Sequence, residues 1–264
     1  MLASERHKLI LERIETQNSV SVADLCALIG VSEMTIRRDL RILSAGGLLQ
    51  RVHGGAIAKR SGSYEPPYLV RGSANLEAKQ AISREAVKLV NEGDSLALDV
   101  GTTTYEIACR LAEMRGLTIL TASLPIANVL ADAPHIRLIL TGGILRPQEK
   151  SMVGQTAVSA YHGYHVDKAF VGIGGLHLER GLTEYNLDDA LVKQAMIQNA
   201  ARVIVVADSS KLQRICFAHV ADLMQIHSLI TDDHAPEVVL RDLAKRGIEI
   251  IAAHAAAPPD NPDF

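Results

Sequence analysis

Aromatic residues are scarce in this chain: 264 residues include six Tyr, three Phe and no Trp. Apolar types still make up 48%, so any core has to be assembled from Ala, Val, Ile and Leu. An aliphatic core of that kind suits buried parallel strands covered by helices. Cysteine is equally sparse. Cys26, Cys109 and Cys216 are widely separated, odd in number and without a metal-type pair, which points to a reduced, cytoplasmic protein. No apolar run approaches the ~20 residues that span a bilayer. The opening MLASERHKLILERIE is charged every few residues and lacks the apolar block of a signal peptide. Positive charge is not in excess either, because the net charge is -3. That sum hides an asymmetry: residues 1–60 hold nine Lys/Arg against six Asp/Glu, while residues 61–264 hold eighteen against twenty-four. A nucleic-acid partner, if there is one, belongs at the N-terminal end.

That end carries a specific pattern, SVADLCALIGVSEMTIRRDLRILSAGGLLQRVHGG, from Ser21 to Gly55. Ser21 can cap a helix whose third position is the acidic Asp24. Leu25, Leu28 and Ile29 recur at helical spacing, Gly30 stops the helix and Ser32 caps the next. A turn this short is the spacing of a helix-turn-helix. The second helix is expected from Glu33 to the Gly46-Gly47 pair. Ile36, Leu40 and Leu43 form its core face, and Met34, Thr35, Arg37, Arg38 and Arg41 project from the other side. Arginine suits that position because its fork grips guanine edges or phosphates in two places. Leu48 to Ile57 reads as a short hairpin, a wing carrying Arg51 and His53, with Gly54 and Gly55 permitting unusual backbone angles. A bare arginine cluster is as readily a solvated helix face. Here the caps, turn length, arginine face and wing agree. The stretch VSEMTIRRDLRILSAGGLLQRVHGGA is similar to the DNA-binding domain of the DeoR family of bacterial transcription regulators. The resemblance implies Ser32, Thr35, Arg37 and Arg38 as DNA contacts, with Arg51 and His53 from the wing.

An additional helix from Ser4 to Gln17 completes a winged helix-turn-helix domain over residues 1–58. Residues 59–75, with Ser-Gly-Ser and Pro-Pro breakers, read as a linker. The rhythm then changes. Short β-rich runs at 95–99, 117–121, 136–140, 168–171, 202–207, 228–231 and 248–252 alternate with helical segments at 77–91, 104–115, 124–132, 154–162, 186–200 and 236–246. This is an α/β domain, mostly parallel, spanning residues 76–252. Residues 253–264 read as a disordered tail.

In a parallel sheet the strand ends share one edge, where ligands bind. The expected ends carry Asp99 and then Gly101-Thr102-Thr103-Thr104 at a helix start, Ser123, Thr141-Gly142-Gly143, Gly172-Ile173-Gly174-Gly175, and Asp208-Ser209-Ser210-Lys211. Glycines let the backbone approach closely, helix-start N–H groups and hydroxyls attract an anion, and Lys211 supplies a cation. Asp99 and Glu184 could accept hydrogen bonds from hydroxyls. A phosphorylated polyol satisfies both halves. Each motif taken singly is as readily a helix cap, a turn or a surface lysine; their convergence on one edge is what argues for a site.

DVGTTT at 99–104, LTGGILR at 140–146, GLTEYN at 181–186 and ADSSKL at 207–212 are similar to the effector domain of the same family. That domain is related to ribose-5-phosphate isomerase and senses phosphorylated sugars or their derivatives. The resemblance implies Asp99, Gly101, Thr102, Thr103, Gly142, Gly143, Arg146 and Lys211 as pocket positions, to which the residue pattern adds Thr104, Ser123 and Glu184. An isomerase relative raises an enzymatic alternative. Proton transfer between carbons needs a poised carboxylate, yet this chain reads Val171-Gly172-Ile173-Gly174 where the isomerase has an Asp-Gly-x-Asp stretch. Asp188 and Asp189 at the next helix start suit the helix dipole alone. Binding without turnover is therefore expected, with no cofactor and no metal; His162 and His165 lack the partners of a metal set. The expected protein is a cytoplasmic repressor of carbohydrate genes, a homodimer or homotetramer that holds operator DNA and a phosphorylated sugar. Activation, or an isomerase-like enzyme, is the alternative.

Overall fold

Ile10 and Ile14 lie one helical turn apart, and both are fully buried in the first of two units into which the chain divides, Met1–Asn75 and Leu76–Phe264. The structure is a computed structural model that describes residues 2–17, 19–45, 48–58 and 62–254. In the first unit, α1 (Ala3–Gln17), α2 (Val22–Ile29) and α3 (Glu33–Ala45) pack around Leu25, Ile36, Leu40 and Leu43. The Ser21 hydroxyl accepts from Asp24 N at 3.0 Å, and Gly30 ends α2 in the left-handed region at φ 74°. Gly46 and Gly47, read as the stop of α3, lie outside the described residues.

Three short strands close this unit: β1 (Ser19–Ser21), β2 (Gln50–Val52) and β3 (Gly55–Ile57), antiparallel with β3 in the middle. Gly54 has a positive φ as expected, but Gly55 is needed for another reason. A side-chain carbon there would lie 2.0 Å from the Val20 carbonyl oxygen, so only glycine lets β3 approach β1.

The stretch expected to be a linker holds α4 (Tyr68–Ser73), and its Val70 enters the core of the first unit. Tyr64 donates to the Leu48 carbonyl at 2.8 Å, and the Ser73 hydroxyl donates to Glu12 on α1. The Pro66-Pro67 pair reads as a breaker, but Pro67 sits at the cap of α4, where a missing N–H costs nothing. Residues 59–61 lie outside the described ones.

The second unit runs through α5 (Leu76–Val87), β4 (Ser95–Leu98), α6 (Thr102–Leu111), β5 (Leu117–Thr121), α7 (Leu124–Leu130) and β6 (Ile136–Leu140). A hairpin follows, β7 (Ile144–Arg146) and β8 (Ser151–Val153), then α8 (Gln155–His162), β9 (Val166–Val171), β10 (Gly175–His177), β11 (Gly181–Glu184) and α9 (Leu187–Gln198). The last elements are β12 (Ala200–Val206), β13 (Ala218–Ala221), β14 (Ser228–Asp232), α10 (Glu237–Lys245) and β15 (Glu249–Ala253). Ala253, expected in the tail, pairs with Asp232 and ends the last strand; residues 255–264 lie outside the described ones.

Seven strands form one parallel sheet in the order β15-β14-β12-β9-β4-β5-β6. Period-2 alternation serves both faces, since in a strand successive side chains point opposite ways. Leu96, Leu98, Phe170, Ile204 and Val206 pack on α5, α6 and α7. Ala97, Ala169, Val171, Val203 and Val205 belong to a second cluster with Tyr161 of α8, Met196 of α9 and Leu243 of α10. The sequence pattern did not reveal the smaller antiparallel sheet β10-β11-β13 or the β7-β8 hairpin. Their three- and four-residue strands are too short to carry a period.

Strand order reverses between β4 and β9: the chain builds outward through β5 and β6 on one side and through β12, β14 and β15 on the other. This is the switch point of an open α/β sheet, where loops leave in opposite directions and open a crevice. Asp99 directly follows β4 and Gly172 directly follows β9, so both stand at the switch point.

Candidate functional site

On α3 the buried set is Ile36, Asp39, Leu40 and Leu43, and Met34, Arg37, Arg38 and Arg41 are exposed. The Ser32 and Thr35 hydroxyls lie 3.1 Å apart, and Thr35 N points to Ser32 Oγ at 3.4 Å, so this pair caps α3. Arg37 donates to Glu33 one turn earlier at 2.8 Å, with both side chains largely in solvent. Arg51 on β2 and His53 in the wing turn are exposed.

Asp39 went unread in the sequence. It is buried beneath the arginine face and accepts from Arg6 Nε at 2.8 Å and Arg6 Nη2 at 3.1 Å, with His7 Nε2 at 3.0 Å. Burial alone would raise its pKa; hydrogen bonds from Arg6 and His7 more than reverse this and hold the carboxyl below its ordinary value. A helix pinned to α1 by a buried carboxylate holds its exposed face in a fixed orientation.

In the second unit the switch point is organised by a residue that sequence reasoning also missed, Lys193 of α9. Its ammonium pairs with Asp99, meets the Gly172 carbonyl at 3.0 Å and faces Glu184 at 3.3 Å. An ammonium has three donors, and these three partners use them all. Asp99 Oδ2 also accepts from Gly172 N at 2.9 Å, and Glu184 Oε1 accepts from Tyr185 N at 2.9 Å. All three charged side chains are nearly out of solvent. Burial pulls the Lys193 ammonium down, but its two carboxylates more than compensate and leave it raised and charged. Burial pushes Asp99 up, against the pull of Lys193 and with help from Glu184. The strand end at Val171–Gly174 has no carboxylate of its own, yet folding brings Asp99 and Glu184 to it from elsewhere. Lys193 escaped notice because it lies four positions from Asp189 within a helix of mainly apolar and small residues, where a lysine ordinarily faces water.

Other expected residues fall into place around this cluster. Gly101, at φ 156°, precedes the first turn of α6, where Thr102 and Thr103 are buried. Thr104 is fully buried and turns its hydroxyl back to the Gly101 carbonyl at 3.1 Å. Ser123 caps α7 and bridges to Ser151. Gly142 and Gly143 lead from β6 into β7, the first strand of the hairpin, which ends in Arg146. Arg146 pairs with Asp189, which also accepts from the Ser151 hydroxyl at 3.0 Å. Asp189 is thus buried and engaged, beyond any dipole role, while Asp188 stays exposed. Lys211 ends a short 3-10 turn after β12; its Nζ lies 3.4 Å from the Tyr185 hydroxyl and 5.9 Å from the ring centroid. Arg214, not foreseen, lies over the same ring at 5.2 Å. Two cations therefore flank Tyr185, next in sequence to Glu184.

A helix-turn-helix with an exposed arginine face, carried on one chain with an α/β unit organised at its switch point, defines a DNA-binding transcription regulator with a sensor domain. A model of the DeoR-like helix-turn-helix domain matches residues 6–61, and one of the DeoR C-terminal sensor domain matches residues 74–233. The chain belongs to the DeoR family. It is 38% identical to a putative aga operon transcriptional repressor of Escherichia coli O157:H7, over 94% of this chain and 93% of that protein. It is 37% identical to the transcriptional regulator GlpR of Haloferax volcanii, over 95% and 98%. Identity to the glycerol-3-phosphate regulon repressor of Escherichia coli K12 is 31%, over 95% and 99%. Among solved structures, ribose 5-phosphate isomerase A of Methanocaldococcus jannaschii aligns at 21% identity over 53% of this chain and 55% of that one, with a TM-score of 0.40. Among the described residues, no helix is long and apolar enough to cross a membrane.

Proposed function

We propose that this regulator is a cytoplasmic repressor of carbohydrate-metabolism genes, and that a phosphorylated sugar or derivative at the switch point of the sensor unit governs its grip on DNA. The observation that carries the reading is the buried Asp99–Lys193–Glu184 cluster at that switch point. Lys193 spends its donors on the Gly172 carbonyl and on two carboxylates, whose remaining lone pairs suit sugar hydroxyls. The phosphate is assigned to the start of α6 at Gly101, Thr102 and Thr103, with Lys211 and Arg214 as cations. Ser123, Gly142, Gly143, Arg146 and Thr104 shape the surrounding loops. The names of the relatives, among them an aga operon repressor and a glycerol-3-phosphate regulon repressor, support both repression and a carbohydrate setting.

In the first unit, Ser32, Thr35, Arg37 and Arg38 are assigned to DNA from α3, with Arg51 and His53 from the wing. A modest excess of positive charge on one copy favours a homodimer or homotetramer that sets paired helices on repeated half-sites. Control follows from linkage: an effector that prefers one state changes DNA affinity by the factor by which DNA changes its own, at a coupling of roughly 1–3 kcal/mol.

Turnover is disfavoured because Asp99 and Glu184 are fixed in place by Lys193 and by backbone N–H groups rather than free to swing onto a carbon-bound proton. A proton-abstracting base needs reach to its substrate. The deciding experiment is a gel-shift assay on DNA upstream of the chain's own and neighbouring genes, repeated with a panel of phosphorylated sugars. A shift that no sugar phosphate alters would sink the effector reading. Product formation from ribose 5-phosphate or another member of the panel would overturn the non-enzymatic one.

A further inference from the structure

Met34 is the second residue of α3 and is 81% exposed. Isolated exposed apolar side chains are ordinary and need no account. The placement of this one is different. At roughly 100° per residue, Met34 falls opposite the buried Ile36, Leu40 and Leu43, with Arg37 and Arg38 one turn on and Arg41 two turns on. An uncharged thioether thus stands in the middle of the arginine face of α3, at the end of the helix that reaches base edges when a helix-turn-helix docks in the major groove.

Its polar neighbours also hold local partners. Glu33 pairs with Arg37, and Ser32 and Thr35 bond to each other and cap the backbone. Methionine offers no strong hydrogen-bond donor, so it cannot read the amino and carbonyl groups of the groove floor. The apolar group displayed on that floor is the 5-methyl of thymine. A long, unbranched, polarisable side chain adapts readily to such a contact.

We propose that Met34 packs on a thymine methyl in each operator half-site and is a specificity-determining residue of this regulator. The proposal rests on the reading of α3 as the recognition helix, whose surrounding arginines grip phosphates or guanines while Met34 reports one base.

The test uses the full-length chain and needs no known operator. Duplexes are selected from a randomised pool, and each consensus thymine is replaced in turn by deoxyuridine, which removes the methyl and nothing else. Affinities are measured by fluorescence anisotropy for wild type and Met34→Ala. At one position per half-site, deoxyuridine should weaken wild-type binding about fourfold, the value of one buried methyl-sized group. Met34→Ala should be indifferent to the same replacement, and should bind the thymine duplex at least as weakly as wild type binds a duplex carrying deoxyuridine at that position in both half-sites. Equal penalties in both proteins, or none at any thymine, overturn the proposal. Arg38→Ala on the same duplex separates the layers: wild-type affinity there would show that α3 does not face DNA, and the proposal would fall with that reading. Thermal melting of Met34→Ala, whose side chain is solvent-exposed, should match wild type.

Discussion

Lys193 and Glu184 face each other at 3.3 Å with both side chains nearly excluded from water, and Asp99 closes the group on the other side of the ammonium. Removing one partner of such a group strands the others as uncompensated buried charges. Lys193→Met should lower the stability of the second unit by about 3–5 kcal/mol, measured by urea unfolding. Adding Glu184→Gln should recover part of the loss, because one stranded charge is neutralised. A single variant as stable as wild type would mean that water already reaches the cluster.

Arg38→Ala should weaken operator binding by about five- to 150-fold, corresponding to the roughly 1–3 kcal/mol expected of a lost base contact or somewhat less for a phosphate contact. Calorimetry should show the melting of the second unit unchanged, since Arg38 is exposed and lies in the first.

Asp39 gives the first unit an acid-side dependence. Its folded pKa lies below the ordinary value, so folding favours the ionised form. Its contribution is complete above the unfolded carboxylate value of about 4 and is lost as pH falls through the lower folded value. Asp39→Asn should therefore destabilise the first unit at neutral pH and flatten its loss of stability below about pH 4. Parallel wild-type and variant curves of melting temperature against pH would contradict this.

Thr102→Val and Lys211→Ala should leave DNA affinity intact and blunt the response to whichever sugar phosphate proves active. Loss of a hydrogen bond to a charged group is worth about 1.5–3 kcal/mol, so the half-maximal concentration should rise about tenfold or more. Unchanged dose responses in both variants would move the phosphate elsewhere.

The repeating features were open to reading from the chain alone. Ser21, Asp24 and Gly30 announce a helix and its end through local chemistry, and the alternation in Leu96-Ala97-Leu98 announces a strand buried on both faces. Asp99 and the Gly101–Thr104 turn were legible because a strand end followed by a helix start has its own grammar. What stayed hidden depends on distance along the chain. Nothing local to Lys193 says that it meets Asp99, ninety-four positions away, and nothing local to Asp39 says that Arg6 and His7 arrive from another helix. Arg146 illustrates the converse. It reads as an anion ligand, and the fold gives it Asp189. The helix over Tyr68–Ser73 is short and follows two prolines, so its composition spoke for a linker while tertiary packing of Val70 decided otherwise.

The ion pair between Glu33 and Arg37 also sets how much positive charge the exposed face of α3 presents. Three exposed arginines on one helix would be drawn to any phosphate backbone, and the resulting attraction would rise steeply as salt is lowered. Glu33 travels with Arg37 and subtracts from that pull wherever the helix lands. The general stickiness of the face is muted, so a larger share of the total affinity has to come from the bases themselves.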